Sequence, residues 1–126
     1  MGSYSQAKDL YERALAIREK VLGSEHTDVA DSLAGLGDLA LTQNLPTKAR
    51  PHLERAVAIF DAYEGVQESE YEARFSLAKA LVLSGGDRSR ALAEAGKAAD
   101  GYRTLGEGMA KEIAEVEAFI SKHGGR

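Results

Sequence analysis

The chain has 126 residues, a net charge of −4, 44% hydrophobic and 29% charged residues, and no cysteine. That length suffices for one domain. The mild acidity, with 16 scattered Lys and Arg, excludes the clustered basic surface that nucleic-acid binding needs, the missing cysteine excludes disulfides and thiolate metal sites, and no apolar run nears the ~20 residues of a membrane span.

The chain contains only two prolines, Pro46 and Pro51, and its richness in Ala, Leu, Glu, Lys and Arg favours helix nearly throughout. Ala7, Leu10, Tyr11, Ala14, Ile17 and Val21 step by three or four residues and predict a helix over 4–22, ended by Gly23-Ser24-Glu25-His26. Val29, Leu33, Leu36, Gly37, Ala40 and Leu41 predict a second over 28–43, ended by Asn44-Leu45-Pro46. A third is expected over 47–64, before Gly65, with a small distortion where Pro51 cannot donate to the Thr47 carbonyl. Tyr71, Phe75, Ala78, Leu81 and Val82 predict a fourth over 69–84, opened by a Ser69/Glu72 capping box and closed by Gly85-Gly86. Asp87 can cap a fifth helix over 88–104. Gly106 separates it from a sixth over 107–122, where Met109, Ile113, Val116 and Ile120 form one apolar stripe with Phe119 beside it.

The third helix repeats the first. Ala7, Glu12-Arg13-Ala14 and Ala16-Ile17 return 42 residues later as Ala49, Glu54-Arg55-Ala56 and Ala58-Ile59, and Ala91 and Ala98 return once more. Gly37 precedes Ala49 by 12 residues and Ala78 precedes Ala91 by 13, the extra residue falling in a longer turn at Ser84-Gly85-Gly86. Antiparallel helices approach to ~8–10 Å only through small contact residues. Gly37, Ala49, Ala56, Ala78, Ala91 and Ala98 are therefore expected to carry the packing, with Leu53, Phe60, Phe75 and Tyr102 filling the gaps.

Gly37, Ala49 and Ala56 at these spacings resemble the tetratricopeptide repeat, strongly over 7–63 and more weakly over 69–105. Leu22-Gly23-Ser24-Glu25-His26-Thr27-Asp28-Val29-Ala30 resembles the 42-residue form found in kinesin light chains and bacterial signalling proteins, with Ser24 and Thr27 where that family often has proline. The resemblance implies an all-α solenoid of helical hairpins, with about six antiparallel helices. It reads as one domain over 1–126: the second helix of a truncated repeat at 4–22, full repeats at 28–64 and 69–104, and a C-terminal capping helix at 107–122, similar to the repeat regions that follow some bacterial serine/threonine kinase domains. The unpartnered first helix suggests part of a longer array, and its stripe, including Leu10, Tyr11 and Ile17, suggests self-association.

The family also implies a concave face lined by the first helix of each pair. Its positions here are Asp31, Ala34, Asp38, Leu41 and Thr42, then Glu72, Phe75, Lys79, Val82 and Leu83. With Asp31, Asp38 and Glu72 present and Lys79 the lone cation, a mixed or basic peptide fits better than an acidic C-terminus. No catalytic cluster is visible. His26, His52 and His123 lack metal-ligand spacing, and Gly85-Gly86-Asp87-Arg88-Ser89 lacks the phosphate-loop lysine. The expected function is a non-enzymatic, cytoplasmic protein-interaction module of a bacterial signalling or scaffolding protein, without cofactor or metal. The alternative is a purely structural segment capping an array whose binding face lies upstream.

Overall fold

The structure, a computed structural model, describes residues 2–124, and all regular structure among them is helical. It falls into two compact units, Met1–Gly65 and Val66–Arg126, within the span that the repeat pattern reads as one domain.

The first unit holds α1 (Gly2–Leu22), α2 (Thr27–Thr42) and α3 (Pro46–Ala62), with α2 packed against both others. The α2 helix opens on His26, whose Nδ1 accepts the Asp28 N–H at 3.0 Å, satisfying one of the donors a helix start leaves unpaired. The sequence places this histidine only in the turn that ends the first helix. Pro46 opens α3, where the missing N–H costs nothing, and the helix continues through Pro51 without ending. The third helix stops at Ala62, two residues before the predicted end, because Tyr63 turns extended.

The interior of the first unit is apolar. Leu53 and Val29 are fully buried, and Leu33, Leu36, Val57, Ile59 and Phe60 nearly so. Each such side chain contributes roughly 1.5–3 kcal/mol relative to exposure. A Cβ built on Gly37 would lie 2.4 Å from Leu53 Cγ, so the α2–α3 approach at this point requires glycine. Polar links tie the C-terminal half of α1 in place. Arg18 donates to the Asp28 carbonyl at 2.9 Å and to Ser32 Oγ at 3.0 Å, and Arg55 on α3 pairs with Glu19 at 2.5 Å.

The second unit holds α4 (Glu68–Leu83), α5 (Arg88–Thr104), a 3₁₀ turn (Glu107–Met109) and α6 (Ala110–Gly124), with α5 packed against α4 and α6. The predicted capping box is a correction. The helix begins one residue early, at Glu68, after an N-cap Gln67 that makes no side-chain capping hydrogen bond, so Ser69 and Glu72 fall inside the helix. Glu68 and Glu70 lie in its first turn, where carboxylates favour the positive helix end. Asp87 caps α5, its carboxylate accepting the Arg90 N–H at 3.2 Å. The sixth helix opens with the 3₁₀ turn and runs two residues past its predicted end.

Both hairpins turn by the same device. After α2, Asn44 at φ 63° lets the Leu45 N–H reach the Ala40 carbonyl at 2.8 Å. After α4, Gly85 at φ 77° lets the Gly86 N–H reach the Leu81 carbonyl at 2.7 Å. This left-handed cap satisfies carbonyls that the helix end would otherwise strand. The second turn is one residue longer, Ser84 to Asp87 against Gln43 to Leu45, which accounts for the change in alanine spacing.

Candidate functional site

The five expected positions on α2 form one stripe within the first unit. Asp31, Asp38 and Thr42 are exposed, and Ala34 and Leu41 are half-buried. Thr42 Oγ1 donates back to the Asp38 carbonyl at 3.0 Å, which holds its side chain against the helix. The stripe therefore offers two carboxylates flanking a shallow apolar strip, set on a helix whose opposite side is anchored in the core.

On α4 the expected positions diverge in character. Glu72 and Leu83 are exposed, while Phe75, Lys79 and Val82 are half-buried. Phe75 meets Phe119 edge-on at 5.5 Å between centroids, and Lys79 places its ammonium 4.5 Å from the Phe75 ring centre. The charge of Lys79 is thus held by a ring face, a contact worth about 0.5–2 kcal/mol. His123 lies tilted against the other aromatic of this group, Phe119, at 4.6 Å between ring centroids.

The small residues chosen from the repeat lie inside. Ala49, Ala56, Ala78, Ala91 and Ala98 are fully buried, and Gly37 abuts Leu53. Two further close approaches went unread in the sequence. A Cβ on Gly35 would meet Tyr11 at 2.3 Å, and one on Gly101 would meet Tyr71 at 2.1 Å. In each the aromatic ring lies over a glycine of the neighbouring helix, and no short-range pattern links the two partners.

The buried charge of the second unit was also missed. Arg74 donates across the α4–α5 interface to Glu94 at 2.8 Å and within α4 to Glu70 at 2.9 Å, with Arg74 and Glu94 both buried. A sequence shows such residues as ordinary helix surface, and the partner Glu94 is twenty residues away. Nearby, burial pushes the Tyr102 phenol well above its ordinary range, helped by Glu72, Glu112, Glu68 and Glu115. Among the described residues no group of three or more His, Cys, Asp or Glu converges as a metal site would require.

Taken unit by unit, the molecule is a helical-hairpin scaffold with polar and apolar stripes on exposed helix faces. The tetratricopeptide repeat family matches residues 1–62. No curated protein matches the chain at a significant level. Among solved structures, the chain is similar to a Podosopora anserina chain described as the nearly identical TPR-like repeats of a kinesin light chain, with 20% identity and a TM-score of 0.81. The likeness covers 97% of this chain and 57% of that one. The family match over residues 1–62 and the all-α helical-repeat architecture support a tetratricopeptide repeat assignment. Such repeats are generally protein–protein interaction modules and typically non-catalytic. Among the described residues no helix is long and apolar enough to cross a membrane.

Proposed function

We propose that the chain is a non-catalytic interaction module within a larger bacterial signalling or scaffolding protein of the cytoplasm. In this reading it takes a peptide or protein on the outward faces of the first helix of each hairpin. The observation that carries the reading is the α2 stripe, where exposed Asp31 and Asp38 flank half-buried Ala34 and Leu41. Two carboxylates beside an apolar strip suit a basic or mixed peptide with an apolar anchor, because charge complementarity steers and orients the encounter. Glu72 extends the same preference to α4, and Lys79, held over Phe75, tempers it. The test is affinity capture from the source cells with Asp31→Lys/Asp38→Lys beside the unaltered protein. Capture is expected to weaken by about tenfold as like charges meet, and unchanged capture removes this face from consideration.

A second reading, a structural capping segment, draws on α6. Val116 is fully buried, with Ile113 and Ile120 half-buried beside it, so this helix covers an apolar face of α5 as a terminal repeat does. Under that reading charge reversal on α2 and α4 leaves capture intact.

The first helix adds a partner of its own kind. Leu10, Ile17 and Val21 are 64%, 62% and 72% exposed, whereas Ile59, the repeat counterpart of Ile17, is 1% exposed. In this reading a second copy covers the stripe. Light scattering over a concentration series should show association that Ile17→Lys abolishes, and a strict monomer at millimolar concentration contradicts it.

A further inference from the structure

The acidic α2 stripe has an opposite within the same unit. Toward their N-terminal ends α1 and α3 flank a half-open cleft of about 700 Å³ over the C-terminal half of α2. Leu36 and Leu39 of α2 and Pro51 of α3 give it an apolar wall. Its charged and titratable lining is Tyr4, Lys8, Lys48 and His52, with no Asp or Glu among the lining residues, in a chain whose net charge is −4. Neither lysine forms a hydrogen bond or ion pair with a described residue, so both ammoniums remain available to a ligand. Burial lowers the pKa of His52, opposed by Glu12 and assisted by Lys8 and Arg55. At neutral pH the ring is therefore an uncharged hydrogen-bonding group beside the two cations.

Small-molecule sites are concave, mostly apolar, of about 300–1,000 Å³, with a few polar groups that fix orientation. This cleft has that size and that division. We propose that it is a binding site for a small amphipathic anion: an aliphatic or aromatic carboxylate whose apolar body lies on Leu36, Leu39 and Pro51 while Lys8 and Lys48 hold its charged end. The lysines are point charges on flexible stems, without the planar fork that arginine offers a phosphate. The apolar wall contributes the larger share of the contact. Both features select a monoanion with a substantial apolar body over a compact polyanion. The site is distinct from the α2 stripe, which carries the opposite charge.

The experiment is an NMR titration of the isotope-labelled protein with sodium octanoate below its micelle concentration, and in parallel with octanol. Octanoate is expected to give saturable shifts centred on Lys8, Leu36, Leu39, Lys48 and His52, with octanol binding at least tenfold more weakly. Lys8 and Lys48 are exposed, so Lys8→Glu/Lys48→Glu should keep the fold, shown by an otherwise unchanged spectrum, and weaken octanoate binding at least tenfold. Lys8→Gln/Lys48→Gln should fall between. Asp31→Lys/Asp38→Lys should leave octanoate binding unchanged, separating this site from the peptide-binding face. Absence of saturable shifts, shifts centred on Leu10, Ile17 and Val21, equal binding of octanol, or full binding by the charge-reversed variant overturns the proposal.

Discussion

The two units build the same hairpin from different material. In α2–α3 the interior is filled by Leu33, Leu36, Leu53, Val57, Ile59 and Phe60, and the helices close on Gly37. In α4–α5 the corresponding space holds Ala73, Ala78, Ala80, Ala91, Ala95, Ala98 and Ala99, with Leu77, Leu81 and Tyr102. The deficit in apolar volume is met by the Arg74–Glu70–Glu94 cluster, which brings long side chains and paired charges into the interface. The comparison separates what the fold requires from what it tolerates. Small residues where the helices touch, and a left-handed turn after each first helix, occur in both units. The chemistry of the filler differs. The family match spans residues 1–62, close to the first unit alone.

The largest expected effect breaks the second unit's filler. Arg74→Leu alone strands Glu94 in a buried site and should destabilise by about 3–5 kcal/mol in chemical denaturation, the cost of an unpaired buried charge. Adding Glu94→Leu should recover most of that loss, since a hydrophobic pair of similar volume commonly replaces a buried ion pair at little cost. If the double variant is as unstable as the single one, the cluster is more than a space-filler, and the comparison changes accordingly.

The next effect probes the shared requirement. Gly37→Ala forces a methyl group against fully buried Leu53 and should cost about 1–3 kcal/mol, as overpacking does. Leu53→Ala in the same chain should make the glycine substitution nearly harmless, as a double-mutant cycle would read. The smallest effect has the opposite sign. At Gly96 a Cβ meets nothing within 4 Å, so Gly96→Ala should stabilise by about 0.8–1 kcal/mol through helix propensity alone. Equal destabilisation at both positions would remove the argument that close approach, rather than helical glycine as such, matters at Gly37.

Much of this organisation was legible in the sequence because it rests on local rules. Asn44 and Gly85 marked the turns, since they are the residue types that accept a left-handed cap. The return of Ala49 and Ala56 as Ala91 and Ala98 marked the buried contacts. The start of α4 was misread because Ser69 and Glu72 have the spacing of a capping box, while the helix itself opens earlier, at Glu68. His26 escaped notice as a cap because histidine is not among the usual capping residues. The glycine–tyrosine contacts, the Arg74 cluster and the cleft beside α3 all depend on which residues of separate helices come to face each other. Periodicity reports which side of a helix is buried, and it does not report the partner. The α2 stripe was nameable only through the resemblance to the family, because exposed Asp31 and Asp38 have no local signature of their own.

Interaction through the outward face of α2 is tested most directly by site-specific photo-crosslinking in the source cells, with a photoreactive side chain placed at position 38 on α2 or at position 58, exposed on α3. A covalent adduct with one protein, formed from position 38 and absent from position 58, is the expected result. Equal adducts from both positions, or an adduct from position 58 alone, would contradict it.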